Sequence, residues 1–172
     1  MKYYVKRELV AAPRKYFMKD VDGNDIFLAR GKMGLSVGLQ VTVFDKDQVE
    51  LGRVDQKKLS LKPIFYIQRG RTVIGTLDKK FTAIKQKYEL AELGWEIEGD
   101  FTAHEYHVSD KTGIIAEISK EWLVFGDSYE IRMKSDAHLF EMFCLVMAID
   151  EIYSTQGNGW KVDNKGIEDF FR

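Results

Sequence analysis

Met142-Phe143-Cys144-Leu145-Val146-Met147-Ala148-Ile149 is the longest uninterrupted apolar run in this 172-residue chain, and its reading decides the fold. It lies inside Ala137–Tyr153, a stretch without Gly or Pro that follows Ser135-Asp136, a helix N-cap signal. Positions 137, 139, 140, 142–149 and 152 are apolar, so the predicted helix has no polar face at 3.6-residue spacing. A helix apolar all round is buried either in protein or in a membrane. A spanning helix needs about 20 such residues, far more than this run holds. The helix therefore belongs inside a protein core. Burying its large side chains is worth on the order of 12–24 kcal/mol before entropy is counted.

The residues that precede it supply the wall. From Tyr3 to Lys134 the period is two: Leu39, Val41 and Val43 alternate with Gln40 and Thr42, and Tyr129, Ile131 and Met133 alternate with Glu130, Arg132 and Lys134. Such alternation puts apolar side chains on one sheet face and polar ones on the other. Asp22-Gly23-Asn24, Asp45-Lys46-Asp47 and Asp110-Lys111-Thr112-Gly113 are hairpin signals, since these residues tolerate positive φ. Strands are predicted near 2–9, 14–19, 25–31, 39–45, 48–56, 61–69, 71–78, 86–92, 95–100, 103–109, 113–120 and 127–134. The expected architecture is mainly β: an antiparallel, closed β-barrel of about twelve strands around an apolar C-terminal α-helix, one domain over residues 1–172. Gly157-Asn158-Gly159 is expected to break the chain after the helix, with Ile167, Phe170 and Phe171 docking a short tail.

Composition narrows the class. Hydrophobic residues at 45% and charged residues at 31% suit a folded domain rather than a disordered chain. A lone cysteine, Cys144, allows no internal disulfide, and Met1–Arg7 shows no apolar signal core. A cytoplasmic protein without a transmembrane span, at most peripheral at a membrane, is expected. The net charge of −1 hides a division. Residues 1–87 carry 19 Lys and Arg against 9 Asp and Glu, whereas 88–172 carry 7 against 18. The halves either become opposite faces or interleave around the barrel.

Motifs for catalysis are weak. His104-Glu105-Tyr106-His107 has the wrong spacing for a helical zinc motif, and residues three apart on a strand face opposite ways. A site joining these two with His138 would need the fold to gather them. Asp20-Val21-Asp22-Gly23-Asn24-Asp25 has glycine in fourth place rather than sixth, and strands rather than helices beside it, so it reads as a turn and not a calcium loop. Cys144 sits mid-helix among apolar neighbours, an inert position for a thiol. Gly31-Lys32-Met33-Gly34 lacks the spacing of a phosphate loop. Neither an enzyme nor a cofactor or metal is expected.

Basic residues carry more. Lys57, Lys58 and Lys62 surround one turn, Arg69 and Arg71 flank Gly70, Lys79 and Lys80 mark another turn, and Lys85 and Lys87 follow. Arg69 with Arg71, and Lys85 with Lys87, have the spacing of one strand face. If they converge, these nine form a candidate lipid- or phosphate-binding site, each worth about 1 kcal/mol near an anionic surface. The competing reading is a solvated edge, where lysines discourage strand pairing.

The chain also resembles the LURP-one-related family in its small bacterial form, within the tubby C-terminal-like fold. The likeness runs in order through Tyr3-Tyr4-Val5-Lys6, Lys19-Asp20-Val21-Asp22-Gly23-Asn24 and Gly31-Lys32. It continues through Trp95-Glu96-Ile97-Glu98-Gly99-Asp100-Phe101, Lys120-Glu121-Trp122, Asp127-Ser128-Tyr129 and Val146-Met147-Ala148-Ile149-Asp150. The resemblance implies a twelve-stranded barrel enclosing the helix, and distant kinship with tubby proteins, which bind phosphoinositide headgroups, and with phospholipid scramblases. A non-enzymatic module for anionic phospholipid headgroups is the expected function. Alternatives are a nucleic-acid-binding or regulatory protein using the same basic face, and a scramblase-like membrane-active protein. Nucleic acid is the weaker partner, because the pI is near 6.3 and the one long helix is internal.

Overall fold

Alternation in the sequence becomes a wall whose strands pair in the order in which they occur. The computed structural model describes residues 1–8, 13–32, 38–80, 86–100, 103–123 and 126–160, with side chains except at 122, 123, 126, 127 and 155–160. The twelve strands are β1 (Lys2–Glu8), β2 (Lys15–Lys19), β3 (Asp25–Gly31), β4 (Gln40–Asp45), β5 (Glu50–Gln56) and β6 (Ile64–Arg69), then β7 (Thr72–Lys80), β8 (Lys87–Leu90), β9 (Trp95–Asp100), β10 (Glu105–Asp110), β11 (Gly113–Leu123) and β12 (Gly126–Met133). Every neighbouring pair is antiparallel, and β12 closes on β1 with Tyr3 opposite Ile131 and Val5 opposite Tyr129. Closure leaves no free edge for another chain to pair with.

Antiparallel succession sends connections alternately to two ends. At the end where the helix enters, the hairpins are tight. Asp20 Oδ1 accepts the Asp22 and Asn24 N–H groups, both at 2.9 Å, and Asp45 Oδ1 does the same for Asp47 and Val49. Both carboxylates serve as turn acceptors, so the Asp20–Asp25 segment is the hairpin its glycine position indicated. Register shifts at Met18/Lys19, Val43/Phe44, Ile67/Gln68 and Val108/Ser109 all fall beside the turns of this end. Each bulge adds local twist and bends the strand, which helps curve the wall into a closed barrel.

Helix α1 (Leu139–Trp160) follows a single 3-10 turn, Asp136–His138, whose start is capped by Ser135 Oγ accepting the Ala137 N–H at 3.2 Å. Every residue from Phe140 to Ile152 is buried. The inward row of the wall meets it from all sides: Tyr16, Met18, Val43, Val54, Phe65, Ile67, Leu77, Ile97 and Ile131 are essentially inaccessible. At Gly52 the helix and wall come so close that a Cβ would lie 2.0 Å from the Gln68 carbonyl oxygen and 2.8 Å from the Phe140 ring. Only glycine fits there.

Three expectations shift. The helix continues through Gly157-Asn158-Gly159 to Trp160, because glycine costs a helix about 1 kcal/mol without forbidding it, unlike proline. Strand β8 stops at Leu90, since Ala91–Leu93 turn in a 3-10 segment closed by Gly94 at φ 64°. Thr76 N–H and Oγ1 both donate to Glu92, at 2.7 Å each, which pins that turn to β7. Strand β6 begins only at Ile64, after Pro63, which has no N–H to offer a ladder. Ile167, Phe170 and Phe171 lie outside the described residues.

Candidate anion-binding groove

The same order of strands that closes the barrel also sorts its charge. Strands β1–β7 come from the basic half of the sequence and β9–β12 from the acidic half, so sequential pairing makes them opposite walls. The charges interleave where the halves meet. Lys80 reaches Glu89 at 3.1 Å, Lys87 reaches Glu96 at 2.8 Å and Glu98 at 3.1 Å, and across the other seam Lys2 reaches Glu130 at 3.3 Å. Hydrogen bonds to Glu96 and then Glu98 hold the Lys87 ammonium above its ordinary pKa.

The nine predicted basic residues do not form one site. Lys57, Lys58 and Lys62 lie in the β5–β6 connection at the end where the helix exits, and Lys79, Lys80 and Lys87 lie at that same end on β7 and β8. Arg69 and Arg71 lie at the opposite end, about 20 Å away along β6. Nor do those two share a strand face, because Gly70, at φ 57°, and Arg71 make the hairpin turn itself. Arg69 is also committed to the core: its guanidinium stands 4.2 Å above the Phe140 ring and 3.2 Å from Glu141. Lys62 pairs with Asp78 at 2.8 Å. Lys57 and Lys58 are exposed and make no ion pair among the described residues. Lys85 lies outside the described residues.

What the strands do gather is a different set. Pairing places Arg30 opposite Thr42 and Thr42 opposite Arg53, so one outward row carries two arginines on either side of a hydroxyl. At the strand spacing of about 4.8 Å, the two arginine backbones stand about 10 Å apart, close enough for both side chains to reach one phosphate-sized group. Lys32, just past the end of β3 and two residues from Arg30, has the same outward parity. These residues line an open groove of ≈ 480 Å³ with Gln40 and Asp55. Arg53 Nε donates to Gln68 at 3.0 Å and lies 3.1 Å from Asp55, so its guanidinium is held in place. Arg30 hydrogen-bonds Gln48 and covers Phe44, with 5.1 Å from guanidinium to ring. Three cations against one carboxylate make this groove basic, whereas a groove on the opposite wall carries Asp100, Glu105 and Glu117 against Arg132 and His107. The i,i+2 spacing of Arg30 and Lys32 was legible in the sequence. Their meeting with Arg53 depends on the β3–β4–β5 register.

Other candidates have structural partners. Asp150 accepts hydrogen bonds from Tyr16 OH at 3.0 Å, Tyr129 OH at 3.1 Å and Arg7 Nη1 at 3.1 Å, and Arg14 pairs with buried Glu151. Burial, reinforced by the Asp150 carboxylate, pushes both tyrosine hydroxyls far above their usual range. Burial likewise pushes the Cys144 thiol up, away from nucleophilic thiolate. His104 packs edge-on against Tyr153, His107 lies 4.0 Å from Glu98, and His138 meets Trp95 edge-on with Glu141 at 3.7 Å. Among the described residues, no three His, Cys, Asp or Glu side chains are gathered as a metal site would require. No helix among them is long and apolar enough to cross a membrane.

Fold and surface together define a class: a closed twelve-strand antiparallel barrel built around its own C-terminal helix, with one basic and one acidic wall. The chain belongs to the LURP-one-related family, whose sequence model matches residues 1–150. A Bacillus subtilis protein, the uncharacterised YxjI, is 27% identical over 146 residues, covering 85% of this chain and 88% of that one. A crystal structure of an Arabidopsis thaliana protein shares the fold with a TM-score of 0.56 at 14% identity, covering 88% of this chain and 91% of its own.

Proposed function

We propose that this protein is a non-enzymatic binding module that receives an anionic, phosphate-bearing headgroup in the Arg30–Thr42–Arg53 groove. The observation that carries this reading is that Arg30, Lys32 and Arg53 line one open groove in which Asp55 is the single carboxylate. Guanidinium groups suit this task because their planar donors meet phosphate oxygens in pairs, and charge-assisted bonds of that kind are about twice as strong as neutral ones. Arg53 is oriented in advance by Gln68 and Asp55, which reduces the ordering cost on binding. Support for a binder rather than a catalyst is chemical: the buried thiol is raised away from ionisation, and the central carboxylates are occupied by arginine and tyrosine donors.

Titration of the purified protein with inositol phosphates, and with inorganic phosphate alone, tests this. Binding is expected to weaken with added salt. Arg30→Glu with Arg53→Glu is expected to reduce it by at least about 30-fold, at about 1 kcal/mol for each cation removed. Arg71→Glu, at the far end, is expected to change nothing. Affinity indifferent to the groove pair but lost in Arg71→Glu would refute the assignment.

A further inference from the structure

We propose that the β5–β6 connection, Lys57-Lys58-Leu59-Ser60-Leu61-Lys62-Pro63, inserts its two leucines into an anionic membrane surface and so sets the barrel on the bilayer. Leu59 and Leu61 are fully exposed, at 105% and 110%, while the other exposed large apolar side chains among the described residues reach only 43–63%. Those others (Met1, Val21, Val49, Val73 and Ile114) stand at or beside the opposite end of the barrel. Scattered exposed apolar residues are ordinary on a protein surface, but two fully exposed leucines in one seven-residue connection are not.

The backbone presents them. Leu59 lies at φ 55°, in the left-handed region that disfavours a residue with a branched side chain, and Ser60 between the two is half-buried. Lys57 and Lys58 precede the pair, exposed and without an ion pair among the described residues, while Lys62 after it is tied to Asp78 at 2.8 Å. Apolar tips preceded by two exposed cations match an anionic bilayer, where leucines enter the acyl boundary and ammonium groups stay at headgroup level. The outward parity of β5 runs from Arg53 through Asp55 to Lys57, so Arg53 stands about 13 Å along the strand from this connection. A barrel seated on the leucines would hold the groove beside the headgroups, which selects a membrane lipid over a free phosphate as its ligand. The inference thus rests on the reading of the groove as an anion site.

Flotation with vesicles of phosphatidylcholine containing 20% phosphatidylserine or phosphatidylinositol phosphate, with ~20% as the working composition, separates the two. The paired variant Leu59→Ser, Leu61→Ser is expected to lose vesicle affinity by roughly 30-fold while binding soluble inositol phosphate unchanged. In Leu61→Trp, vesicles are expected to shift the indole emission to the blue, and brominated acyl chains to quench it. Vesicle binding by the serine pair equal to the original overturns the insertion and leaves the groove standing. So does an original protein that binds soluble headgroup but no vesicle. A dimer in sedimentation that the serine pair dissolves, without vesicle binding, assigns the leucines to a second copy and also overturns it. Loss of both soluble and vesicle binding in the original protein removes the groove reading along with this one.

Discussion

Replacing Asp150 by alanine removes the acceptor that joins the helix to three strands. Its carboxylate, only 3% exposed, takes hydrogen bonds from Tyr16 on β2, Tyr129 on β12 and Arg7 on β1. Both tyrosines are buried, at 1% and 2%, so their hydroxyls have little access to replacement water. An orphaned buried hydroxyl costs about 1–3 kcal/mol. Arg7 is better placed to recover, with 21% of its side chain exposed. Against these losses, alanine is the better helix former by about 0.6 kcal/mol. The net expectation is about 2–5 kcal/mol of destabilisation, a large part of the 5–15 kcal/mol typical of a domain. Denaturant unfolding of Asp150→Ala, Arg7→Ala and the double variant measures both this cost and the coupling between the pair, expected at about 1–3 kcal/mol. Asp150→Asn, which retains one acceptor oxygen, is expected to fall between. A stability within about 0.5 kcal/mol of the original for Asp150→Ala would mean that the helix is not seated against these strands.

Lysine at Ala148, a position with no exposure, would bury an unpaired ammonium and overfill the core at several kcal/mol each, so Ala148→Lys is expected to be insoluble or unfolded at ordinary temperature. A soluble variant with unchanged Tm would place the helix elsewhere than in the barrel. Strong acid should weaken two of the turns. The Asp20 carboxyl is held below its ordinary range first by the Asn24 side chain, and that of Asp110 by the Thr112 side chain. A carboxyl lowered on folding stabilises fully above its unfolded pKa, about 3.9, and loses that contribution as pH falls through the lower folded value. Asp20→Asn with Asp110→Asn keeps turn acceptors without the titration, so its stability is expected to fall less steeply as pH drops below about 4. Superimposable acid-unfolding curves would contradict this.

Much of this architecture could be read from the chain because it rests on local chemistry. Period-two alternation states which side chains face in, Asp and Gly mark the hairpins, and an apolar run with no polar face has nowhere to go except inside. Strand order followed from adjacency, since consecutive hairpins pair with their neighbours. The same rule carried the charge division of the sequence into two walls, because an up-and-down barrel maps position along the chain onto position around the axis.

Which cations meet was another matter. Arg69 and Arg71 are two residues apart in sequence, yet they bracket a turn and one of them covers the helix. Arg30 and Arg53, 23 residues apart, stand two strands from each other because the β3–β4 and β4–β5 registers both align them with Thr42. Asp150 looked in the sequence like the end of an apolar run, and Arg7 and Arg14 like ordinary surface charges of β1 and the residues before β2. Closing the barrel brings β1, β2 and β12 side by side over the second half of the helix, and only then do these charges meet. Local periodicity determines the facing of a side chain, but register and closure decide its partner, because they depend on pairings that lie up to the whole length of the chain apart.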